Sequence, residues 1–156
     1  MATNEKLVEV LNDLVQINTD RITGYEKAAK ETKDLDIDLQ AIFNKMADDS
    51  RKYKAELSNE VTRLGGTPAE GRTTPGAIYQ VWMEVKATFA GHDRQAALNS
   101  CEFGEDAAQK AYRGALASDA EMDADTRQLI AKQQTELKTS HDLIKKYRDA
   151  NKAVHA

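Results

Sequence analysis

The chain has 156 residues, and this length predicts a single domain over residues 1–156 with a sizeable core. Its 22 lysines and arginines and 26 aspartates and glutamates are interspersed without a basic stripe, which argues against nucleic acid as a partner. The single cysteine, Cys101, cannot form an intrachain disulfide, and no stretch has the pattern of a signal peptide or a transmembrane span. We therefore expect a cytoplasmic protein with no membrane partner.

Apolar residues recur every three or four positions along most of the chain, which is the pattern of amphipathic helices. Five helices are predicted, over about residues 4–33, 36–64, 76–90, 93–117 and 124–150. Gly65-Gly66 ends the second helix, and both prolines fall in the loop that follows it, residues 67–77. The short third helix carries Trp82. No segment alternates with period two, so the sequence predicts an all-α fold.

The lengths of the connections predict how the helices are arranged. The connections after the first and third long helices are short, so each of these pairs is expected to form an antiparallel hairpin. The two hairpins are joined by about 28 residues, which include the short helix and can span the whole bundle. This favours a ferritin-like four-helix bundle with one long crossover. An up-down bundle with a bent third helix is the alternative.

Several segments resemble a known family. They are GYEKAA (24–29), ELSNEVTRLGGTP (56–68), GEDAAQKAY (104–112) and QQTELKTSHDLI (133–144), together with Asp20 and the Trp82 helix. In this order they resemble a family of small bacterial ferritin-like four-helix-bundle proteins of unknown function. The resemblance implies the bundle fold and no established activity. Because the wider superfamily contains di-iron oxidases and iron-storage proteins, it also raises the question of a buried metal site.

The sequence lacks the ligand motif of a di-iron bundle. Such a bundle takes one glutamate from each of two helices and a Glu-x-x-His pair from each of the other two. At that spacing Glu56 is followed by Asn59, Glu60 by Arg63 and Glu136 by Thr139. His141 lies five residues beyond Glu136, on a different side of the helix. A complete di-iron site is therefore not predicted.

When residues are placed by their height along the axis of the predicted bundle, polar side chains nevertheless fall in two interior layers. The first contains Asp20, Asp49, Glu105 and Glu136 with Arg21, and the second contains Tyr25 or Glu26, Asn44, Cys101 or Glu102, and His141. Burying such groups is costly unless they are paired. The candidate ligands for iron or manganese are Asp20, Asp49, Glu105, Glu136 and His141.

Each candidate also has an interpretation without metal. Glu105 can form a salt bridge with Arg21 or a hydrogen bond with Gln133. His141 can be a core histidine with satisfied hydrogen bonds, and Glu136 a solvated residue on the flank of its helix. Cys101 is expected to be a small buried core residue.

Three functional hypotheses remain open. The first is a non-catalytic binding or stress-associated module, which the missing Glu-x-x-His favours over an enzyme. The second is an atypical iron or manganese carboxylate protein or oxidase with an incomplete di-iron motif. The third is an interaction protein, which includes a homo-oligomer, with the 77–89 helix and its Trp82 as the contact surface.

Overall fold

The computed structural model describes residues 2–32, 37–70 and 94–154. These residues form the four helices α1 (Ala2–Thr32), α2 (Ile37–Arg63), α3 (Arg94–Ala117) and α4 (Ala124–Val154). No strand occurs within these three ranges, so the all-α prediction is confirmed for them. The fourth helix continues to Val154 rather than ending at about residue 150. The predicted helix over 76–90, with Trp82, lies outside the described residues.

Helix α1 packs mainly on α2, and α3 packs mainly on α4. The buried apolar side chains of the four helices form two core clusters. The first core cluster is Leu7, Leu11, Leu14, Val15, Ile17, Tyr53, Leu57, Val61, Ala108, Tyr112, Ala115, Ala120, Ile130 and Leu137. The second core cluster is Tyr25, Ala28, Ala29, Leu39, Phe43, Met46, Ala47, Leu98, Cys101 and Ile144. Both clusters draw on all four helices, which is how each amphipathic helix buries its apolar face.

Buried polar residues lie between the two core clusters along every helix. We call them the central polar band: Asn18, Asp20 and Arg21 on α1, Ser50 on α2, Glu105 on α3 and Ser140 on α4. Helices α1 and α4 pass from the first core cluster through this band to the second. Helices α2 and α3 pass through it in the opposite order. The band therefore divides the apolar interior into two parts.

The end of α2 follows the glycine pattern that the sequence predicts. Gly65 has a φ of 86°, in the left-handed region that glycine adopts without strain. Its N–H donates to the carbonyl of Thr62, and the N–H of Gly66 donates to the carbonyl of Val61 at 2.9 Å. This pair of bonds is the Schellman arrangement, which satisfies carbonyls that the helix end would otherwise leave unpaired.

The start of α4 is tied to the end of α2. Asp123 accepts the backbone N–H of Thr126 at 2.7 Å, so it caps the first turn of α4. Arg63, the last residue of α2, donates to Asp123 at 3.0 Å, and the hydroxyl of Thr126 donates to Glu60 at 2.9 Å. These contacts join the two helices at one end of the structure.

Gly66 is packed too closely to accept a side chain, so Gly66→Ala should destabilise the protein. A Cβ atom there would lie 2.6 Å from Val8 Cγ1 and 3.1 Å from Val61 Cγ1. We expect a loss of about 1–3 kcal/mol in the free energy of unfolding, the usual cost of overpacking, measured by urea denaturation. The matched control is Gly114→Ala on α3, where a Cβ meets nothing within 4 Å. That variant should be more stable by about 0.5–1 kcal/mol, and equal effects at the two glycines would contradict the packing described.

Candidate functional site

The centre of the structure holds an ion pair that is completely removed from solvent. Arg21 on α1 and Glu105 on α3 each have 0% of their side-chain surface exposed. Glu105 Oε1 accepts from Arg21 Nη2 at 2.6 Å and from Arg21 Nε at 3.3 Å. The hydroxyl of Tyr25 donates to the same oxygen, and Arg21 Nη1 donates to Ser50 Oγ on α2. One carboxylate oxygen thus receives three hydrogen bonds.

Burial and the charges of this pair together shift the pKa values of the groups around it. Burial is the largest effect on the pKa of Arg21 and lowers it, but the charge of Glu105, its hydrogen bond and the nearby tyrosines together outweigh burial, so the net direction is upward. Burial, followed by the charge of Glu105, raises the pKa of Tyr25 and also that of Cys101. Cys101 is therefore a neutral thiol, and it lacks the thiolate character that nucleophilic chemistry requires.

A chain of hydrogen bonds connects all four helices in the interior. Asn18 Nδ2 on α1 donates to the Tyr112 hydroxyl on α3 at 2.9 Å. This hydroxyl donates to Gln133 Oε1 on α4 at 2.7 Å. Gln133 Nε2 then donates to Glu56 Oε1 on α2 at 3.1 Å and to the Tyr53 carbonyl at 3.3 Å. Buried polar groups that are paired in this way fix the relative positions of the helices.

The five predicted ligands are distributed over different parts of the structure. Asp20 is fully buried in the central polar band, next to Arg21 in the chain, and Glu105 is held by Arg21. Asp49 forms a salt bridge with Lys45 at 2.8 Å. Burial and, after it, the neighbouring Glu136 raise the pKa of the Tyr53 hydroxyl, and Glu136 lines a groove together with Asp49. His141 lies elsewhere, beside carboxylates of α3.

His141 belongs to a separate cluster between α3 and α4. Its Nε2 atom lies 2.6 Å from Asp106 Oδ1 and 3.8 Å from Glu102 Oε1, and its Nδ1 atom lies 3.2 Å from Asp142 Oδ1. Over the part of the chain that the structure describes, Glu102, Asp106 and His141 form one group of three whose ligand atoms all lie within 4.8 Å of one another. The predicted second polar layer contains His141 with either Cys101 or Glu102, and the structure places Glu102 near the histidine. The sequence did not predict Asp106 as a member, because it is an exposed position. The i,i+4 spacing of the two acids on α3 was the available signal.

Comparison with family models shows the family to which the chain belongs. A model described as "Domain of unknown function (DUF2383)" matches residues 6–118, well over half of the sequence. The chain belongs to this family. The matched residues of this DUF2383 member include both partners of the buried ion pair, whereas His141 lies beyond them. A search of curated proteins found no match. None of the described helices has the length and apolarity that crossing a membrane requires.

Removing one partner of the buried ion pair should be far more damaging than removing a partner on the surface. Arg21→Met leaves the Glu105 carboxylate buried without its cation, which should cost about 3–5 kcal/mol of unfolding free energy. The control is Arg51→Met, which removes the half-exposed pair with Glu26 and should cost at most about 1 kcal/mol.

A double-mutant cycle separates the ion pair from packing effects. Arg21→Met combined with Glu105→Gln should be more stable than the sum of the single effects predicts, by about 1–3 kcal/mol in urea denaturation. Glutamine keeps an acceptor for Tyr25 but removes the buried charge. Strict additivity of the two substitutions would contradict an energetically coupled pair.

The raised pKa of Tyr25 predicts a loss of stability at alkaline pH. A tyrosine whose folded-state pKa lies above its unfolded value of about 10 stabilises the fold fully below pH 10 and loses that contribution as the pH rises. Each such tyrosine contributes a slope of about 1.4 kcal/mol per pH unit above pH 10. Tyr25→Phe should reduce the slope by this amount in urea denaturation from pH 9 to pH 11.5. Ile130→Val destabilises without removing an ionisable group and should keep the wild-type slope, so an equal reduction in both variants would contradict the assignment.

Proposed function

We propose that the protein is a non-catalytic binding or stress-associated module whose interior polar groups are used for packing rather than for catalysis. The observation that carries this proposal is the state of Glu105. Its Oε1 atom accepts three hydrogen bonds from Arg21 and Tyr25, so the interior carboxylate with the strongest claim to a metal already has a cation beside it.

Electrostatics support this reading of the centre. The guanidinium of Arg21 keeps its proton in proteins, and its pKa is shifted further upward here. Two unit positive charges 4 Å apart repel each other by about 4 kcal/mol at the effective dielectric constant of a protein. A divalent ion at Glu105 would meet about twice that repulsion from Arg21.

We propose a ferritin-like arrangement of two antiparallel hairpins for the helices. Its support is the order of the core clusters, because α1 and α4 meet the first core cluster before the central polar band, whereas α2 and α3 meet it afterwards. Two hydrogen bonds agree with opposite directions of α1 and α2. Gln40 donates to the carbonyl of Ala29, and Asn12 donates to the carbonyl of Thr67. If α2 and α3 run the same way, the chain between them must cross the length of the bundle.

The alternative is an atypical iron or manganese carboxylate protein. It would require several of Asp20, Asp49, Glu105, Glu136 and His141 to share one ion. In the described part of the chain, the cluster that gathers three ligand atoms contains His141 but none of the other four. A cytoplasmic location, a homo-oligomeric state, and the lack of nucleic-acid and membrane partners remain predictions from the sequence.

Metal analysis and thermal denaturation test the proposal against this alternative. An ion bound at Glu105 in the folded state would raise the melting temperature by mass action, and Glu105→Gln would remove that rise. We expect instead that iron(II) or manganese(II) changes the melting temperatures of the wild type and of Glu105→Gln equally. Asp48→Asn, on an exposed position of α2, is the control for non-specific effects of a lost acid. Iron or manganese bound near one equivalent, and lost in folded Glu105→Gln but not in Asp48→Asn, would establish the alternative.

A further inference from the structure

We infer that Glu102, Asp106 and His141 form a binding site for one divalent transition-metal ion of the zinc class, between α3 and α4. The site goes beyond the proposed function and uses none of the residues of the central polar band. Its ligands come from two helices that are already packed together.

Local helix geometry presents the two carboxylates to the histidine. Glu102 and Asp106 are four residues apart on α3, so they occupy the same face of the helix in successive turns. The imidazole of His141 reaches them from α4, with Nε2 at 2.6 Å and 3.8 Å from the two carboxylate oxygens. Zinc–ligand bonds of about 2.1 Å at tetrahedral angles separate ligand atoms by about 3.4 Å. The two observed distances lie on either side of this value, and all three ligand atoms lie within 4.8 Å of one another, so an ion would bind with Asp106 moved away from the histidine and Glu102 moved toward it.

The state of His141 Nε2 is an independent indication of a ligand. This atom is buried and has no hydrogen-bond partner, because the 2.6 Å approach of Asp106 does not have hydrogen-bond geometry. When Nδ1 carries the proton and donates to Asp142, Nε2 is unprotonated and lies close to oxygens of two carboxylates. These groups repel one another, and a metal ion bound by all three would remove the repulsion. A carboxylate on the second nitrogen is also the usual way in which a metal-binding histidine is oriented.

Two cationic side chains contact carboxylates around the site without occupying the position proposed for the ion. Arg148 on α4 donates to Glu102 Oε2, which anchors this carboxylate and leaves Oε1 directed at His141. Lys138 lies 3.6 Å from Asp142 and so partly balances the carboxylate behind the histidine. Asp106 remains 60% exposed, so an ion can enter from solvent on this side.

The donor set selects the class of metal. One imidazole and two carboxylates suit zinc and similar first-row ions, whereas magnesium and calcium favour oxygen ligands alone. Three protein ligands leave a coordination position for water.

Isothermal titration of the full-length protein with zinc chloride tests the site, with magnesium and calcium chloride for comparison. We expect one zinc ion per chain and no comparable binding of the other two ions. Asp106→Asn and His141→Gln should each weaken zinc binding by at least about tenfold, since loss of a direct ligand should cost no less than the 10–100-fold cost of losing an outer-shell partner. Asp106 is largely exposed, so its variant should fold normally even if His141→Gln does not.

Matched variants distinguish the site from general attraction to an acidic protein. Asp48→Asn removes one exposed carboxylate from α2, and His155→Gln removes a histidine that is not among the three proposed ligands. Both should bind zinc as the wild type does, and so should Glu105→Gln, which separates this test from that of the proposed function. No zinc binding by the wild type, or equal weakening in Asp106→Asn and Asp48→Asn, would overturn the assignment and leave the cluster as a surface ion pair.

Discussion

The ion pair between Arg21 and Glu105 is the constraint on which the rest of the interior depends. Both side chains are fully buried, and neither can leave the other without an uncompensated charge in a medium of low polarity. Because Arg21 also donates to Ser50, the pair fixes α1, α2 and α3 relative to one another. The hydrogen bonds from Asn18 through Tyr112 to Gln133 extend this constraint to α4. Apolar clusters on both sides of the band supply the burial that offsets the cost of desolvating it.

The same pair supports the packing role that we propose for the centre of the structure. The arginine beside Glu105 repels further cations, and burial together with the charge of Glu105 keeps Tyr25 and Cys101 protonated. Reactive groups at catalytic sites are arranged in the opposite way, with pKa values shifted toward neutrality. The interior therefore supports a packing role. The cluster around His141 differs, since it is partly exposed and has no arginine bonded to the carboxylate oxygens that face the histidine. A ligand site at the helix surface and an interior used for packing are compatible in one bundle.

The DUF2383 match covers the buried ion pair completely and the proposed zinc site in part. The matched residues, 6–118, contain Arg21, Tyr25 and Glu105, together with Glu102 and Asp106. The histidine that completes the proposed zinc site lies on α4, outside the match. The two features use neighbouring positions of α3 but share no residue, so either can be altered by substitution without removing the residues of the other.

Local sequence determined the four helices that the structure describes and the end of α2, because a period of 3.6 and a glycine at the end of α2 act within a few residues. It also identified Glu105 as an interior acid and named Arg21 among its possible partners. Only the tertiary structure decided between those partners, since Arg21 and Glu105 are 84 residues apart and their contact depends on how α1 and α3 pack. Likewise, helix heights placed either Cys101 or Glu102 level with His141, but only the packing of α3 on α4 shows that Glu102 and the exposed Asp106 are its neighbours. The number of aspartates and glutamates, 26, therefore says little about function by itself, because packing determines which of them contact a cation, a tyrosine or a histidine.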